Sequence, residues 1–534
     1  MIPLVVLALV ACSQDGPNDQ RASTPTTSLD PSSEAPTTSG DLIEVFDDLD
    51  GDGVGANGTG QFVTEKLDRQ AFVDGDCDDT DPSRWPGAPE DLCDGVDNDC
   101  DGEQPLCTRE MTEGGATLVG FSDNRHIGTN VAFIGDVDGD GLEDIATSGD
   151  WIEPGIGAAY VISGADLPGI DGNIEPHIHA SLYHSGGVSV GDDGLATAGD
   201  VNGDGLDEFW AGSPLHLVYG GAEGQLDVAA SEVQIHANQQ EVTRLLTEDV
   251  DGDGIRDLFY SDGRKEVFLF RGPFEPGTYT DADADLHIDF LDSEQFSDTT
   301  DAADFDGDGQ LELLFGTECQ IANEEEVYIA GIPGSTTGSH TPDSWSLMQH
   351  GFMDFWVDCG AFIGQSDIGG RSVGDQNGDG YADLGVARNG TWYVVPGPLD
   401  GRVVPEQDAT LSVASHEILS TAPEATGDLD GDGTTEIHFL THGNLAREDD
   451  AFRDGALYLF RGGHSGSMGI DDSDAVWRGQ PSDRWAQMVV RAGGDVDADG
   501  IGDLLIGAPM SIEGYGYHPG HVYWLPGATL LHDL

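Results

Sequence analysis

The chain has 534 residues, enough for two or three domains, and carries 20 Lys and Arg against 101 Asp and Glu, a formal net charge of −81. Such a surface repels nucleic acid and anionic lipid, both of which are bound largely through cationic side chains, so the surplus of carboxylate points to multivalent cations. Hydrophobic residues make up 38% of the chain in recurrent short runs, which excludes disorder throughout, and 77 glycines suit an all-β protein with many tight turns.

The first ten residues, Met1–Val10, are almost wholly apolar and run into Leu9-Val10-Ala11-Cys12. This resembles the lipobox of bacterial lipoproteins, in which the cysteine is lipidated and becomes the new N-terminus. The resemblance implies a signal peptide over residues 1–12, lipidation of Cys12, export, and a lipid anchor at the bacterial cell envelope. No other segment approaches the ~18–20 apolar residues that span a bilayer. Residues 13–42 are Ser, Thr, Pro and acid, as in Ser23-Thr24-Pro25-Thr26-Thr27-Ser28. They cannot bury a core and are expected to form a disordered tether reaching roughly 30 Å.

Residues 43–107 are dense in Asp and Cys. They contain Asp48-Leu49-Asp50-Gly51-Asp52-Gly53, then Gly75-Asp76-Cys77-Asp78-Asp79-Thr80-Asp81-Pro82, then Cys93-Asp94-Gly95-Val96-Asp97-Asn98-Asp99-Cys100-Asp101-Gly102. The order of motifs resembles a small metal-binding module of bacterial surface proteins and, more loosely, the calcium-wrapped thrombospondin type 3 repeats. So few apolar residues need disulfides or metal to hold a fold. The candidate ligands are Asp48, Asp50, Asp52, Asp97, Asp99 and Asp101, and an all-oxygen set favours calcium over copper or zinc. Besides Cys12 there are six cysteines, an even number suited to bridges in an oxidising compartment. Two bridges are expected within Cys77, Cys93, Cys100 and Cys107, with connectivity open, and one between Cys319 and Cys359.

Residues 108–534 repeat an acidic loop, Asp-x-(Asp/Asn)-x-Asp-Gly-x-x-(Asp/Glu), seven times. With ligands at positions 1, 3, 5, 7 and 9, the first loop offers Asp136, Asp138, Asp140, Leu142 and Asp144. The second offers Asp200, Asn202, Asp204, Leu206 and Glu208. The third has Asp249, Asp251, Asp253, Ile255 and Asp257, and the fourth Asp304, Asp306, Asp308, Gln310 and Glu312. The fifth has Asp375, Asn377, Asp379, Tyr381 and Asp383. The sixth has Asp428, Asp430, Asp432, Thr434 and Glu436, and the seventh Asp495, Asp497, Asp499, Ile501 and Asp503. Acids at alternate positions of a tight loop converge on one point, and calcium takes six to eight such oxygens. Position 7 lends a backbone carbonyl, so its side chain varies freely. An EF-hand starts the same way but needs a chelating Glu at position 12. Here that position is Thr147, Ala211, Tyr260, Phe315, Val386, Phe439 or Ile506, none of them a carboxylate.

Each loop is followed by an apolar run such as Leu504-Leu505-Ile506-Gly507-Ala508-Pro509, then by one ending in Gly such as Leu457-Tyr458-Leu459-Phe460-Arg461-Gly462, then by a third such as His287-Ile288-Asp289-Phe290. With the strand entering the loop these make four short strands per repeat, at a spacing suited to propeller blades. The pattern resembles the FG-GAP repeats of the integrin α-subunit propeller and of many bacterial surface proteins. The resemblance implies an all-β, seven-bladed β-propeller behind a small disulfide- and metal-stabilised N-terminal module, with about seven calcium ions in the propeller and further ions in the module. Too little chain follows Gly527 for a full strand, so Ala116-Thr117-Leu118-Val119 is expected to complete the last blade and latch the ring.

Catalysis finds little support: there is no His-Glu-x-x-His motif and no phosphate-cradling glycine loop. His177, His179 and His184 are close in sequence but are expected to be chance neighbours. Trp151, Trp210, Trp356, Trp392 and Trp485 sit near strand ends, where core packing is the expected role and ligand contact the alternative. The long insertion holding Cys319, Cys359 and Phe352-Met353-Asp354-Phe355-Trp356 is the expected recognition surface. The sequence reads as a monomeric adhesion or ligand-binding scaffold that takes protein or glycan at the propeller face, touches membrane only through its anchor, and binds no nucleic acid. The alternative is a calcium-dependent polysaccharide lyase or hydrolase on a propeller scaffold.

Overall fold

The computed structural model describes residues 42–530 apart from breaks, the longest being 89–97, 101–106, 122–126, 150–157, 237–243, 290–299, 341–354, 362–369, 415–423, 442–455, 480–488 and 510–518. The expected signal peptide, Cys12 and nearly all of the expected tether lie outside the described residues. The chain divides into two compact units, residues 1–91 with 96–105, and 92–95 with 106–534.

In the first unit, Ile43–Asp47 is the middle strand of a small antiparallel sheet flanked by Gln61–Val63 and Gln70–Ala71, while Val54–Ala56 pairs in parallel with Val73–Asp76. Its described buried apolar residues are Val45, Val54, Ala71 and Ala88, a core too small to hold this many ordered residues by burial alone. A disulfide joins Cys77 to Cys100 and supplies one constraint. Cys93 lies outside the described residues.

The second unit is built from seven five-stranded sheets. In sheet one, Val131–Gly135, Asp144–Gly149, Ala158–Ile162 and Ile178–Tyr183 pair antiparallel in chain order. Sheets two to seven begin at Ala196, Arg244, Thr300, Gly370, Glu424 and Val489 and repeat this order, with an acidic loop always joining the first strand to the second. The first strands neighbour one another in chain order, and the first strand of sheet seven neighbours that of sheet one. The all-β expectation holds.

Because each sheet lies between two others, its middle strands are buried on both faces and read as nearly continuous apolar runs, as in Ala158–Ile162 and Ala456–Phe460. Alternation of side chains then divides each strand between two cores. Ile145 joins the cluster with sheet seven and Ala146 the cluster with sheet two; Leu504 faces sheet six and Leu505 sheet one. Seven such clusters fill the interfaces from one sheet to the next.

Ala116–Val119 pairs antiparallel with His521–Leu525, His521 opposite Val119, and so completes sheet seven from the other end of the chain. The expected latch is present. Every sheet also carries a fifth strand that the sequence did not announce. A short segment ahead of the next sheet's last strand lies parallel along the outer edge: Gly224–Asp227 on Ile178–Tyr183, for example, and Asp171–Asn173 on Ala116–Val119. Cys107–Glu110 does the same for sheet six, pairing Cys107 with Ala475. Each added strand covers backbone that would otherwise offer a template for another chain.

Sheet six also holds a pH-sensitive contact. His464 Nε2 lies 2.8 Å from Asp474 Oδ2, which accepts from Arg461 N at 2.7 Å and ties the turn after Ala456–Phe460 to the start of Ala475–Arg478. The bond to Asp474 raises His464 above its ordinary value of 6.5 although burial opposes it. Burial pushes Asp474 up, but His464 and the Arg461 N–H outweigh it and hold the carboxyl below 3.8. The histidine's contribution is complete below 6.5 and lost as pH rises through its raised value; the aspartate's is complete above 3.8 and lost as pH falls through its lowered one. His464→Gln should therefore lower the urea midpoint more at about pH 5.5 than at about pH 8.5. Equal losses at both would show that the pair carries no pH-dependent stability.

Candidate metal centres

The seven loops share one hydrogen-bonding scheme. In the first, Asp136 Oδ1 accepts from Gly139 N at 2.8 Å, Asp136 Oδ2 from Gly141 N at 3.0 Å, and Asp140 Oδ1 from Leu142 N at 2.8 Å. The bond from the position-6 glycine to the position-1 carboxylate recurs in all the others, between 2.7 and 3.1 Å. Position 4 is left-handed in each loop, which glycine adopts without strain; loop seven alone places Ala498 there, at φ 56°. Neighbouring loops are laced together: Asp207 N donates to Asp136 O at 3.0 Å and Thr435 N to Asp375 O at 2.8 Å. Asp136 N donates to Asp207 Oδ2 at 2.9 Å, and Asp495 N to Glu143 Oε2 at 2.9 Å between loops seven and one.

Within loops, side-chain oxygens converge. Those of Asp136, Asp138 and Asp144 lie within 4.8 Å of one another, as do those of Asp249, Asp251 and Asp257, and of Asp304, Asp306 and Asp308. Two opposite calcium–oxygen bonds of about 2.3–2.6 Å span the same distance, so these donor sets fit calcium in spacing and in hardness.

Position 9 has a second task. Asp144, Glu208, Asp257, Glu312, Asp383, Glu436 and Asp503 are all buried. Asp503 Oδ2 accepts from Val496 N and Trp524 Nε1, and its Oδ1 from Gly527 N, each at 2.9 Å. Asp144 likewise takes Val137 N and Gly164 N, and Asp257 takes Val250 N and Gly272 N. The carboxylate thus fastens the loop to the end of the sheet's third strand. Burial pushes Asp144, Asp257, Asp383 and Asp503 up to about 6 and Glu436 to about 7, the backbone donors pulling the other way. A cation in the loop would favour the ionised form.

In the first unit, the oxygens of Asp48, Asp50 and Asp52 form one convergent set and those of Asp50, Asp76 and Asp79 another, sharing Asp50. Asp50 Oδ2, Asp52 Oδ2 and Asp76 Oδ2 are buried without a hydrogen-bond partner. Burial, with Asp50, Asp76 and Asp48 alongside, raises Asp52 to about 6. Orphaned anionic oxygens in a shared pocket fit a hard cation. Asp76 and Asp79 are absent from the ligand set read from sequence, because they come from a different segment; Asp97, Asp99 and Asp101 lie outside the described residues.

Comparison with known families agrees with this division. Residues 249–315 match the FG-GAP-like repeat family and residues 490–523 the FG-GAP repeat family. The chain carries FG-GAP repeats. Residues 76–104 match the Cu-binding MopE family, described as a metal-binding motif, and this segment holds Asp76, Asp79 and the Cys77–Cys100 bridge. No curated protein matches the chain. Among solved structures, BBS1N in complex with ARL6DN is similar at 10% identity over 63% of this chain and 93% of that one, TM-score 0.32. Sqt1 of Chaetomium thermophilum is similar at 13% identity over 77% and 88%, TM-score 0.33.

The remaining sequence candidates separate within the FG-GAP sheets. Trp210 packs edge-on against Phe274 at 5.0 Å and Trp392 against Phe439 at 5.9 Å, both buried in cores between sheets. Trp151, Trp485 and Phe352-Met353-Asp354 lie outside the described residues. Phe355 and Trp356 open the strand Phe355–Ala361, opposite Gly331 and Ala330. The side chains of Cys319 and Cys359 lie outside the described residues. His177 Nδ1 lies 3.5 Å from Asp166 Oδ2, whereas His184 stands beside His216.

Proposed function

We propose that the FG-GAP sheets form one closed seven-bladed propeller that works as a calcium-loaded binding scaffold at the bacterial cell envelope, held by a lipid on Cys12 and carrying protein or glycan on its face. The repetition of one acidic cradle in seven loops supports this reading best. Calcium, when bound, would supply the positive charge that the clustered carboxylates lack. Asp at positions 1, 3 and 5 would hold it in most loops, with Asn202 and Asn377 lending amide oxygens in loops two and five. The hydrogen bonds between neighbouring loops make loop order a condition for a rigid face, and a rigid face loses less entropy on binding a ligand.

The scaffold reading assigns no catalytic residue. The full chain, immobilised and offered protein and glycan panels with millimolar calcium and then with chelator, should retain a ligand only with calcium. Release of unsaturated uronate products from a polysaccharide in the same panel would overturn the scaffold reading in favour of a lyase.

A further inference from the structure

Three histidines from separate parts of the sequence meet between sheets one and two. His184 follows the outer strand Ile178–Tyr183 of sheet one; His216 lies in Leu215–Val218 and His236 ends Val233–His236, neighbouring strands of sheet two. Leu215 and Leu217 pack toward sheet three, so alternation sends His216 and Val218 to the face that packs on sheet one, where Val218 joins Ala180 and Leu182. His216 pairs with Gln234, which places Gln234 and His236 on that same face. The His216 ring lies 5.2 Å from that of His184 and 6.4 Å from that of His236.

His216 is 1% exposed, and neither of its ring nitrogens has a hydrogen-bond partner. A buried polar group in that state is costly and calls for an occupant. Burial, then the neighbouring His184 and His236, holds His216 down at about 4, so its imidazole is neutral and has a lone pair to give. His236 Nε2 lies 3.0 Å from Gln234 Oε1. With the amide oxygen accepting, Nε2 carries the hydrogen and Nδ1 holds the lone pair that can ligate an ion, the orientation that partners impose on metal-bound histidines. His184 Nδ1 accepts from Gly186 N at 3.0 Å; that bond sits in an exposed turn and can be exchanged for an ion. Asp227, whose Oδ1 accepts from Ser185 N at 3.0 Å, adds negative charge beside the group.

We propose that His184, His216 and His236 form a site for a late first-row transition ion such as Cu2+ or Zn2+, distinct from the acidic loops. Imidazole nitrogen selects these ions, whereas calcium prefers oxygen. Bonds of about 2.0–2.1 Å place imidazole rings around one ion roughly 5–6 Å apart. His184 and His216 already stand so, and exposed His236 reaches that range by a small side-chain movement.

Residues 43–107 contain no histidine, the first in the chain being His126, so imidazole coupling reports on the second unit alone. Cu2+ added to the calcium-saturated full chain should bind one equivalent whose electron paramagnetic resonance spectrum shows coupling to imidazole nitrogen. His216→Leu should abolish that signal, and in metal-free buffer should raise the melting temperature by removing the unpartnered ring. His236→Ala, at an exposed strand end, leaves the fold intact and should weaken Cu2+ binding at least tenfold; Gln234→Ala should weaken it by roughly 10–100-fold through loss of the orienting contact. An imidazole-coupled signal that persists unchanged in His236→Ala, or is missing from the wild-type chain, would overturn the site.

Discussion

Removing calcium should lower the melting temperature of the second unit in the full chain by roughly 10–20 °C, and magnesium should not restore it. In the loops built on Asp136, Asp249 and Asp304, acids gather around one point, with side-chain oxygens within 4.8 Å of one another. Without a cation these charges repel, and the glycine N–H groups that hold Asp136 offset only part of that cost. An ion that binds the folded loop alone stabilises the fold by mass action, about 2.7 kcal/mol per site at a hundredfold excess over its Kd. Because neighbouring loops are hydrogen-bonded to each other, the sites should load and melt together. Magnesium demands a near-ideal octahedron and gives up water reluctantly, which a cradle of flexible carboxylates does not suit. Calorimetry with calcium, with chelator and with magnesium checks this. Coincident melts would mean that backbone donors alone satisfy the loops.

The loops and the latch were legible in the sequence for different reasons. Seven copies of one spacing make an acidic loop hard to mistake, and Ala116–Val119 is conspicuous as a spare apolar strand ahead of the first loop. The fifth strands were not legible. Segments such as Gly224–Asp227 are short and mixed in polarity, and only the parallel edge beside them makes them strands. In the first unit, Asp76 and Asp79 join Asp50 because folding brings two segments together, which no spacing rule along the chain encodes. The same holds for His184, His216 and His236: they come from three separate segments, and the group exists only because sheets one and two pack face to face.

The clearest separation between holding an ion and holding the fold comes from two aspartates of loop seven. Asp503→Ala should cost about 3–6 kcal/mol with calcium or without it, because it leaves the buried N–H groups of Val496, Gly527 and Trp524 without their acceptor. The raised pKa of Asp503 shows that burying this charge is itself unfavourable, so the net loss falls below the sum of three hydrogen bonds. Asp499 at position 5 is exposed and accepts from Ile501 N at 2.8 Å within its own turn. Asp499→Ala should leave the calcium-free urea midpoint nearly unchanged, within about 0.5 kcal/mol, while removing most of one site's calcium-dependent stabilisation. If Asp503→Ala instead lost stability only when calcium was present, position 9 would be a ligand alone. Its bonds to the end of the third strand would then be a consequence of loop order, with the ion as the cause.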